Sequence, residues 1–194
     1  MTPKPSTWPS TWLEPGLAAG LTDFLRRCPD ELAGGPVQPT PPGWFDADRA
    51  AQLTAAHRRM LEAGYQSDEQ RHGRADYWAI DASGDCEDKA LWCHQRLAAQ
   101  GWPKSAMRLW LCVARQGDRW RGHAVLVVSL TLSDGAACDA ALDCLRATPT
   151  RKTDLGYRLW RIVDPASLNR PALDGAQPAP AGAAGSGNGA AGQD

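Results

Sequence analysis

The hydrophobic pattern changes at Gly101-Trp102-Pro103, and this change restricts the fold more than any other feature of the sequence. On the N-terminal side, apolar residues recur at helical spacing, most clearly in the stripe Ala50, Leu53, Ala56, Met60 and Leu61. On the C-terminal side the period becomes two, as in Met107, Leu109, Leu111 and Val113. Helical spacing buries one side of a helix, and alternation buries one face of a strand. The order predicts an α+β fold in which N-terminal helices pack on an antiparallel sheet.

The same patterns predict the extent of each element. A short helix is expected within residues 17–32, around Leu21, Phe24 and Leu25. Further helices are expected over 45–64, ending at Gly64 as its C-cap, and over about 84–100. Strands are expected over 107–114, 123–132, 136–145 and 157–163. The polar segment 65–79 is expected to be a loop. Ser133-Asp134-Gly135 joins the second and third strands as a hairpin turn, with Gly135 in the positive-φ position.

Length and composition limit the organisation and the partners of the chain. The 194 residues suit one domain, assigned to 17–165, between a proline-rich segment (1–16) and a disordered Ala/Gly-rich tail (171–194). With 21 Lys and Arg against 22 Asp and Glu, the sequence does not favour nucleic acid or an anionic membrane as a partner. No apolar run has the length of a signal peptide or a membrane span, so the sequence as given predicts a cytoplasmic protein.

Cys86 occupies the position that most favours a reactive thiol. Gly84 and Asp85 precede a run of helical spacing, so Asp85 is expected as the N-cap and Cys86 at the helix N-terminus. There the unpaired N–H groups and the helix dipole favour a thiolate. The alternative is a small packing residue at a helix start. The six cysteines include no CxxC pair and no zinc-finger spacing, which disfavours a structural metal, and they leave disulfide pairing open.

A thiol nucleophile needs a base within hydrogen-bond reach, and the four histidines differ in how well they meet this need. His57 lies in the second helix, where we expect it to be partly exposed, and His72 lies in the polar loop. His94 follows Cys86 by eight residues on the same helix, about 12 Å along its axis, which is too far. His123 opens a predicted strand and is the candidate base; the alternative is a strand-end histidine without a role.

The group that orients His123 is predicted from the hairpin register. With a three-residue turn, Val125 pairs with Asp143, so Asp143 shares the face of His123 at about 7–8 Å between Cα atoms. Asp139 shares that face too, but it pairs near Ser129, about 20 Å along the strand. Asp143 is therefore the candidate orienting carboxylate, with a solvent-facing strand carboxylate as the alternative.

Three carboxylates surround the candidate nucleophile, namely Asp85, Glu87 and Asp88. Negative charge next to a thiol raises its pKa unless something offsets it. The carboxylates have two interpretations, capping of the helix or binding of a hard cation such as calcium, and spacing alone favours capping.

Several motifs in this order resemble one protein family. They are Asp76-Tyr77-Trp78, Gly84-Asp85-Cys86-Glu87-Asp88, Gly122-His123-Ala124-Val125-Leu126 and Leu142-Asp143-Cys144-Leu145. Together they are similar to the bacterial transglutaminase-like cysteine proteinases over roughly residues 20–163. Lys89 stands where this family commonly has an aromatic residue, and Cys144 stands where an asparagine usually follows the aspartate.

The resemblance implies a papain-like, transglutaminase-like fold and a cysteine peptidase with a Cys86-His123-Asp143 triad. The reaction would pass through a thioester on a protein substrate, for some relatives a surface adhesin, and its chemistry requires no cofactor. The resemblance also implies calcium at Asp85 and Glu87, with Asp88 as the next candidate ligand. With the resemblance included, helix capping and calcium binding are equally favoured interpretations of these carboxylates. Characterised relatives are periplasmic. Two alternatives stay open: another acyl transfer, of amidase or transglutaminase type, on the same triad, or a non-catalytic binding module.

Overall fold

The computed structural model of the chain describes residues 19–32, 35–74 and 76–163. The predicted proline-rich segment (1–16) and the predicted tail (171–194) lie outside these residues and stay predictions. No helix within the described part of the chain combines the length and the apolar character that a membrane crossing requires.

The helices begin and end close to where the hydrophobic spacing predicts them. They are α1 (Ala19–Arg27), α2 (Ala47–Glu62), α3 (Asp68–His72) and α4 (Cys86–Ala98). The prediction that residues 65–79 form only a loop is wrong, because α3 lies within it. This five-residue helix is too short to show a hydrophobic period, and it is stabilised by a capping box in which Ser67 and Gln70 exchange hydrogen bonds.

A five-stranded antiparallel sheet follows, in the order β4-β3-β2-β1-β5. Its strands are β1 (Met107–Gln116), β2 (Arg119–Thr131), β3 (Ala137–Leu142), β4 (Thr150–Arg151) and β5 (Arg158–Ile162). The two-residue β4 was not predicted. His123 does not open a strand, because β2 extends four residues further toward the N-terminus, where it continues to pair with β1.

The predicted register of the β2–β3 hairpin is confirmed. Leu126 pairs with Leu142 and Ser129 pairs with Asp139, while Gly135 in the turn has a φ of +81°. β3 ends at Leu142, so Asp143 is the first residue beyond the strand rather than part of it. Asp143 therefore lies just beyond the end of β3, next to His123 of β2.

The core lies between the helices and one face of the sheet. α4 packs on β2 and on α2, and Leu91, Leu97 and Leu126 are fully buried between them. Val125 and Val127 are buried on the opposite face in a smaller cluster, so β2 is buried on both faces. α4 thus packs directly on β2, and this packing determines where the residues at the start of α4 lie.

Candidate active site

Cys86 is the first residue of α4, with Asp85 in the N-cap position, as predicted. The turn before it is tightly packed: a Cβ added to Gly84 would lie 2.7 Å from Asp88 Cγ, so only glycine fits. Asp88 is fully buried, and its Oδ1 accepts a hydrogen bond from the N–H of Ala79 at 2.6 Å. Asp85, by contrast, makes no side-chain hydrogen bond to the helix end, so its predicted capping interaction is not formed.

His123 and Asp143 form a buried hydrogen-bonded pair. His123 Nε2 lies 2.7 Å from Asp143 Oδ1, and both side chains are almost completely inaccessible. Asp143 also accepts hydrogen bonds from the N–H of Leu145 at 2.9 Å and the hydroxyl of Tyr157 at 2.6 Å. Burial by itself raises the pKa of Asp143, but the hydrogen bonds from His123 and Tyr157 outweigh burial and hold it below its usual value. Asp143 is therefore ionised at neutral pH.

Tyr157 contacts both members of this pair. Its ring lies edge-on to the His123 ring, with centroids 5.8 Å apart and planes at 87°, while its hydroxyl donates to Asp143 Oδ2. Tyr157 was not predicted as a site residue. Its only sequence signal is that it is the first residue of the last predicted strand (157–163), where an aromatic side chain is usually part of the core.

His57 also lies next to the site, although it was expected only as a partly exposed residue of the second helix. The prediction of partial exposure is wrong: His57 is buried, and its Nε2 lies 3.0 Å from the backbone oxygen of Asp143. Burial lowers its pKa, so the neutral ring is favoured. A signal was available, since His57 follows Leu53 by four residues and precedes Met60 by three, which places it on the apolar stripe of α2.

Cys86 and His123 line one cavity of about 520 Å³. Among the hydrogen bonds of the described residues none joins these two side chains; the Cys86 thiol instead donates to Glu87 Oε2 at 3.0 Å. Burial, followed by the charges of Glu87, Cys144 and Asp85, raises the pKa of Cys86 well above its usual value. The expected thiolate is therefore not favoured in this form of the molecule, because burial and the neighbouring carboxylates outweigh the helix N-terminus.

A second thiol lies at the His123–Asp143 pair. Cys144 Sγ, a ring nitrogen of His123 and a carboxylate oxygen of Asp143 lie within 4.8 Å of one another. Burial raises the pKa of Cys144 to about 12, so this thiol is protonated. All six cysteines of the chain are unpaired, which leaves no disulfide in the structure.

Three carboxylates gather beside Cys86. Oxygen atoms of Asp68, Asp85 and Glu87 lie within 4.8 Å of one another, and Asp88, predicted as part of this set, is not a member. Burial raises the pKa of Asp85 to about 6 and that of Glu87 well above its usual value. One buried oxygen of Asp68 and one of Asp85 have no hydrogen-bond partner. Clustered, unsatisfied carboxylate oxygens are what a hard cation such as calcium takes, so the residues fit such an ion.

Asp68 was missed because it lies on α3, eighteen residues before Cys86. It comes into the site because its other oxygen accepts the N–H of Tyr77, which folds the segment after α3 back toward α4. Nothing in the spacing of the sequence indicates this fold-back.

A comparison with protein families shows the family to which the chain belongs. The model for "Bacterial transglutaminase-like cysteine proteinase BTLCP" matches residues 19–162. The chain belongs to this family. No protein of curated function matches the sequence.

Solved structures of one Legionella pneumophila protein, LapG, also match this family member. One LapG structure has 22% sequence identity, with 55% of this chain and 59% of that chain covered and a TM-score of 0.44. The calcium-bound LapG structure has 22% identity, with 58% and 62% covered and a TM-score of 0.45. The chain thus spans less than two thirds of the length of these structures.

We expect Tyr157→Phe to lower the free energy of unfolding by about 1–3 kcal/mol at pH 7, because Asp143 loses a donor while the ring contact to His123 stays. A carboxylate whose pKa is lowered by folding stabilises the protein above its unfolded pKa, and this contribution is lost as the pH falls through the folded pKa. The difference from the wild type should therefore shrink between pH 5 and about pH 2. Urea unfolding of the wild type and the variant at neutral and at acidic pH measures this difference in stability.

The matched control is Tyr65→Phe, which removes the hydroxyl of a tyrosine that is 64% exposed and should change stability by less than about 0.5 kcal/mol. An equal loss at acidic and neutral pH in Tyr157→Phe would show that the hydroxyl does not act on an ionised Asp143.

Proposed function

We propose that this chain is a cysteine peptidase that hydrolyses a peptide bond of a protein substrate through Cys86, His123 and Asp143. One observation carries the proposal: the buried 2.7 Å contact between His123 Nε2 and Asp143 Oδ1, made by a histidine that shares a cavity with Cys86. When Nε2 donates its hydrogen to the Asp143 carboxylate, Nδ1 of the neutral ring carries the lone pair. Nδ1 is then the atom that takes the proton of Cys86.

The reaction follows from these positions. His123 Nδ1 accepts the thiol proton, and the Cys86 sulfur attacks the carbonyl carbon of the scissile peptide. The oxyanion that forms is stabilised by the backbone N–H of Cys86, since the first N–H groups of a helix have no acceptor within it. His123 returns the proton to the leaving amine, leaving a thioester, and then activates the water that hydrolyses it. Asp143 holds the ring in the required tautomer throughout.

Calcium is proposed at Asp68, Asp85 and Glu87. Their clustered oxygens and unpartnered atoms support this set, in which Asp68 replaces Asp88 of the sequence-based expectation. When bound, the ion supplies positive charge that offsets the carboxylates now raising the pKa of Cys86. Burial raises the pKa of both Asp85 and Glu87, so their charged forms are disfavoured unless a cation is bound beside them.

We expect calcium at about 100 times its Kd to stabilise the protein by about 2.7 kcal/mol, which raises Tm by about 5–10 °C for a domain of this size. Asp68→Asn should remove most of this shift, because the cation loses a charged ligand. The matched control Asp118→Asn changes a fully exposed carboxylate and should keep the shift. A thermal scan with calcium, with magnesium and with chelator measures it; a calcium shift of the same size in Asp68→Asn would remove Asp68 from the site.

Incubation with a proteome-derived peptide library, calcium and a primary amine separates the proposed activity from its alternatives. Hydrolysis produces new peptide termini, amidase activity produces deamidated side chains, and acyl transfer produces amine adducts, all of which mass spectrometry distinguishes. New termini that are absent with His123→Ala support the peptidase. No product of any kind with the wild type would favour the binding module. A surface adhesin as the natural substrate and a cytoplasmic location stay predictions.

A further inference from the structure

We propose that Tyr65 and Leu145 form two apolar rims of the substrate cleft and select a large apolar side chain next to the scissile peptide bond. This inference rests on the proposed peptidase function and names the substrate feature that the site recognises.

The starting observation is where the exposed apolar side chains lie. Within the described ranges, the large hydrophobic residues that stand exposed are Tyr65, at 64%, and Leu145, at 42%. Both line the cavity that contains Cys86 and His123. Isolated exposed apolar residues are ordinary, but two at the mouth of one cavity beside a candidate nucleophile indicate a binding surface.

Tyr65 is held in place by its neighbours in the chain. The backbone oxygen of Gly64 accepts a hydrogen bond from the buried ammonium of Lys89, and the N–H of Gln66 donates to Ser83 at 2.8 Å. The backbone on both sides of Tyr65 is therefore hydrogen-bonded to α4 and to the turn that precedes it. These bonds hold the Cα of Tyr65 beside the cavity that its side chain lines.

Tyr65 also lies near the nucleophile. Desolvation, and after it the charges of Asp85 and Cys86, raise the pKa of Tyr65 to about 12. A tyrosine is neutral at neutral pH with or without this shift, and a neutral ring suits an apolar partner.

Leu145 is fixed to the same carboxylate that orients His123. Its N–H donates to Asp143 Oδ1 at 2.9 Å, and the N–H of Arg146 donates to the backbone oxygen of Asp143 at 3.0 Å. The position of the Leu145 backbone is thus coupled, through Asp143, to that of the imidazole. A substrate side chain that packs on Leu145 is held at a defined place relative to the catalytic base.

An apolar side chain suits the part of the cleft that Tyr65 and Leu145 form. Gln116 and Arg121 add polar groups to the same cavity. Leu61 adds a third apolar wall to the ring of Tyr65 and the side chain of Leu145. Covering such a surface with a leucine or phenylalanine side chain is favourable because both partners leave water. A charged side chain at the same place would lose hydration without gaining a partner from these three residues.

The test is cleavage of the peptide library in calcium by the wild type and by Tyr65→Phe, Tyr65→Ser and Leu145→Ser. We expect wild-type cleavage sites to be enriched in leucine, methionine or phenylalanine at one position within two residues of the scissile bond. For the best peptide, Tyr65→Ser and Leu145→Ser should each lower kcat/KM about tenfold or more, mainly through KM. The same peptide with alanine at that position should lose much less, and Tyr65→Phe, which keeps the apolar ring, should keep the preference for the apolar peptide.

The outcomes separate this inference from the function on which it rests. If both serine variants keep the wild-type cleavage preference, Tyr65 and Leu145 do not select the substrate side chain. The same holds if cleavage of the apolar and the alanine peptide falls equally. Either result overturns this inference and leaves the proposed peptidase function intact. A loss of the preference in Tyr65→Phe also overturns it, because it assigns the role to the hydroxyl. No cleavage by the wild type overturns the proposed function and the inference together.

Discussion

Cys86→Ala is expected to abolish peptide cleavage, lowering kcat/KM by about 10⁴-fold or more, because removing the nucleophile of a catalytic triad removes the covalent route altogether. The structure supplies an unusual control. Cys144 is a second thiol near the His123 ring, yet it follows Asp143 in a loop and has no helix N-terminus to stabilise an oxyanion. Cys144→Ala should keep kcat/KM within about fivefold of the wild type, since it touches the triad without supplying the sulfur.

The comparison is made on one library peptide with all variants at equal concentration, after circular dichroism has shown that each is folded. Cleavage that survives in Cys86→Ala and is lost in Cys144→Ala would transfer the role of nucleophile to Cys144. Loss in both variants would show that the two thiols act together, which contradicts the assignment of a single nucleophile.

The largest effect on stability is expected for Lys89→Met. The Lys89 ammonium is 3% exposed and donates to three backbone oxygens, those of Met60, Gly64 and Ala82. These acceptors belong to the end of α2, the residues after it and the turn before α4, so one side chain joins three segments. Methionine fills a similar volume but leaves the oxygens unpaired, at a cost of about 1–3 kcal/mol for each one that stays buried.

For three oxygens the sum reaches about 3–9 kcal/mol, a large part of the stability of an ordinary domain. Urea unfolding at pH 7 measures it. Lys104→Met is the matched control, because Lys104 donates to one exposed backbone oxygen, that of Asp30, and should cost less than about 1 kcal/mol. Equal losses in the two variants would show that water replaces the Lys89 ammonium at its acceptors.

The hydrogen bonds of the buried Lys89 ammonium give a physical reason for lysine at this position, where the resemblance to the family leads us to expect an aromatic residue. A phenylalanine at this position would donate no hydrogen to the backbone oxygens that Lys89 bonds, including that of Met60 in α2. In this chain the ammonium does so, and it simultaneously holds Gly64 next to Tyr65. The substitution therefore links the stability of the turn before α4 to the shape of the proposed cleft.

Local pattern was sufficient to predict the parts of the site that local geometry determines. Cys86 begins α4 because Gly84 and Asp85 stop any helix from extending further back. Asp143 was placed beside His123 by the hairpin, since a three-residue turn fixes which residues of β2 and β3 are opposite each other. These inferences depend only on neighbours in one element or one hairpin.

The residues that were missed come from distant segments. Asp68 reaches the carboxylate group through a backbone hydrogen bond to Tyr77, and Tyr157 reaches Asp143 from the segment before β5. Neither contact follows from spacing, because each depends on how separate elements pack. His57 is different: its place on the apolar stripe of α2 was visible, and it was misjudged because histidine is most often exposed on helices.

The most direct measurement is the rate at which each of the six cysteines reacts with iodoacetamide at about pH 6 in calcium, followed by peptide mapping. If His123 activates Cys86, this cysteine should react at least about tenfold faster than the others, and His123→Ala should reduce it to their rate. Uniform slow labelling of all exposed cysteines, or fast labelling of Cys86 that persists in His123→Ala, would contradict the proposed triad.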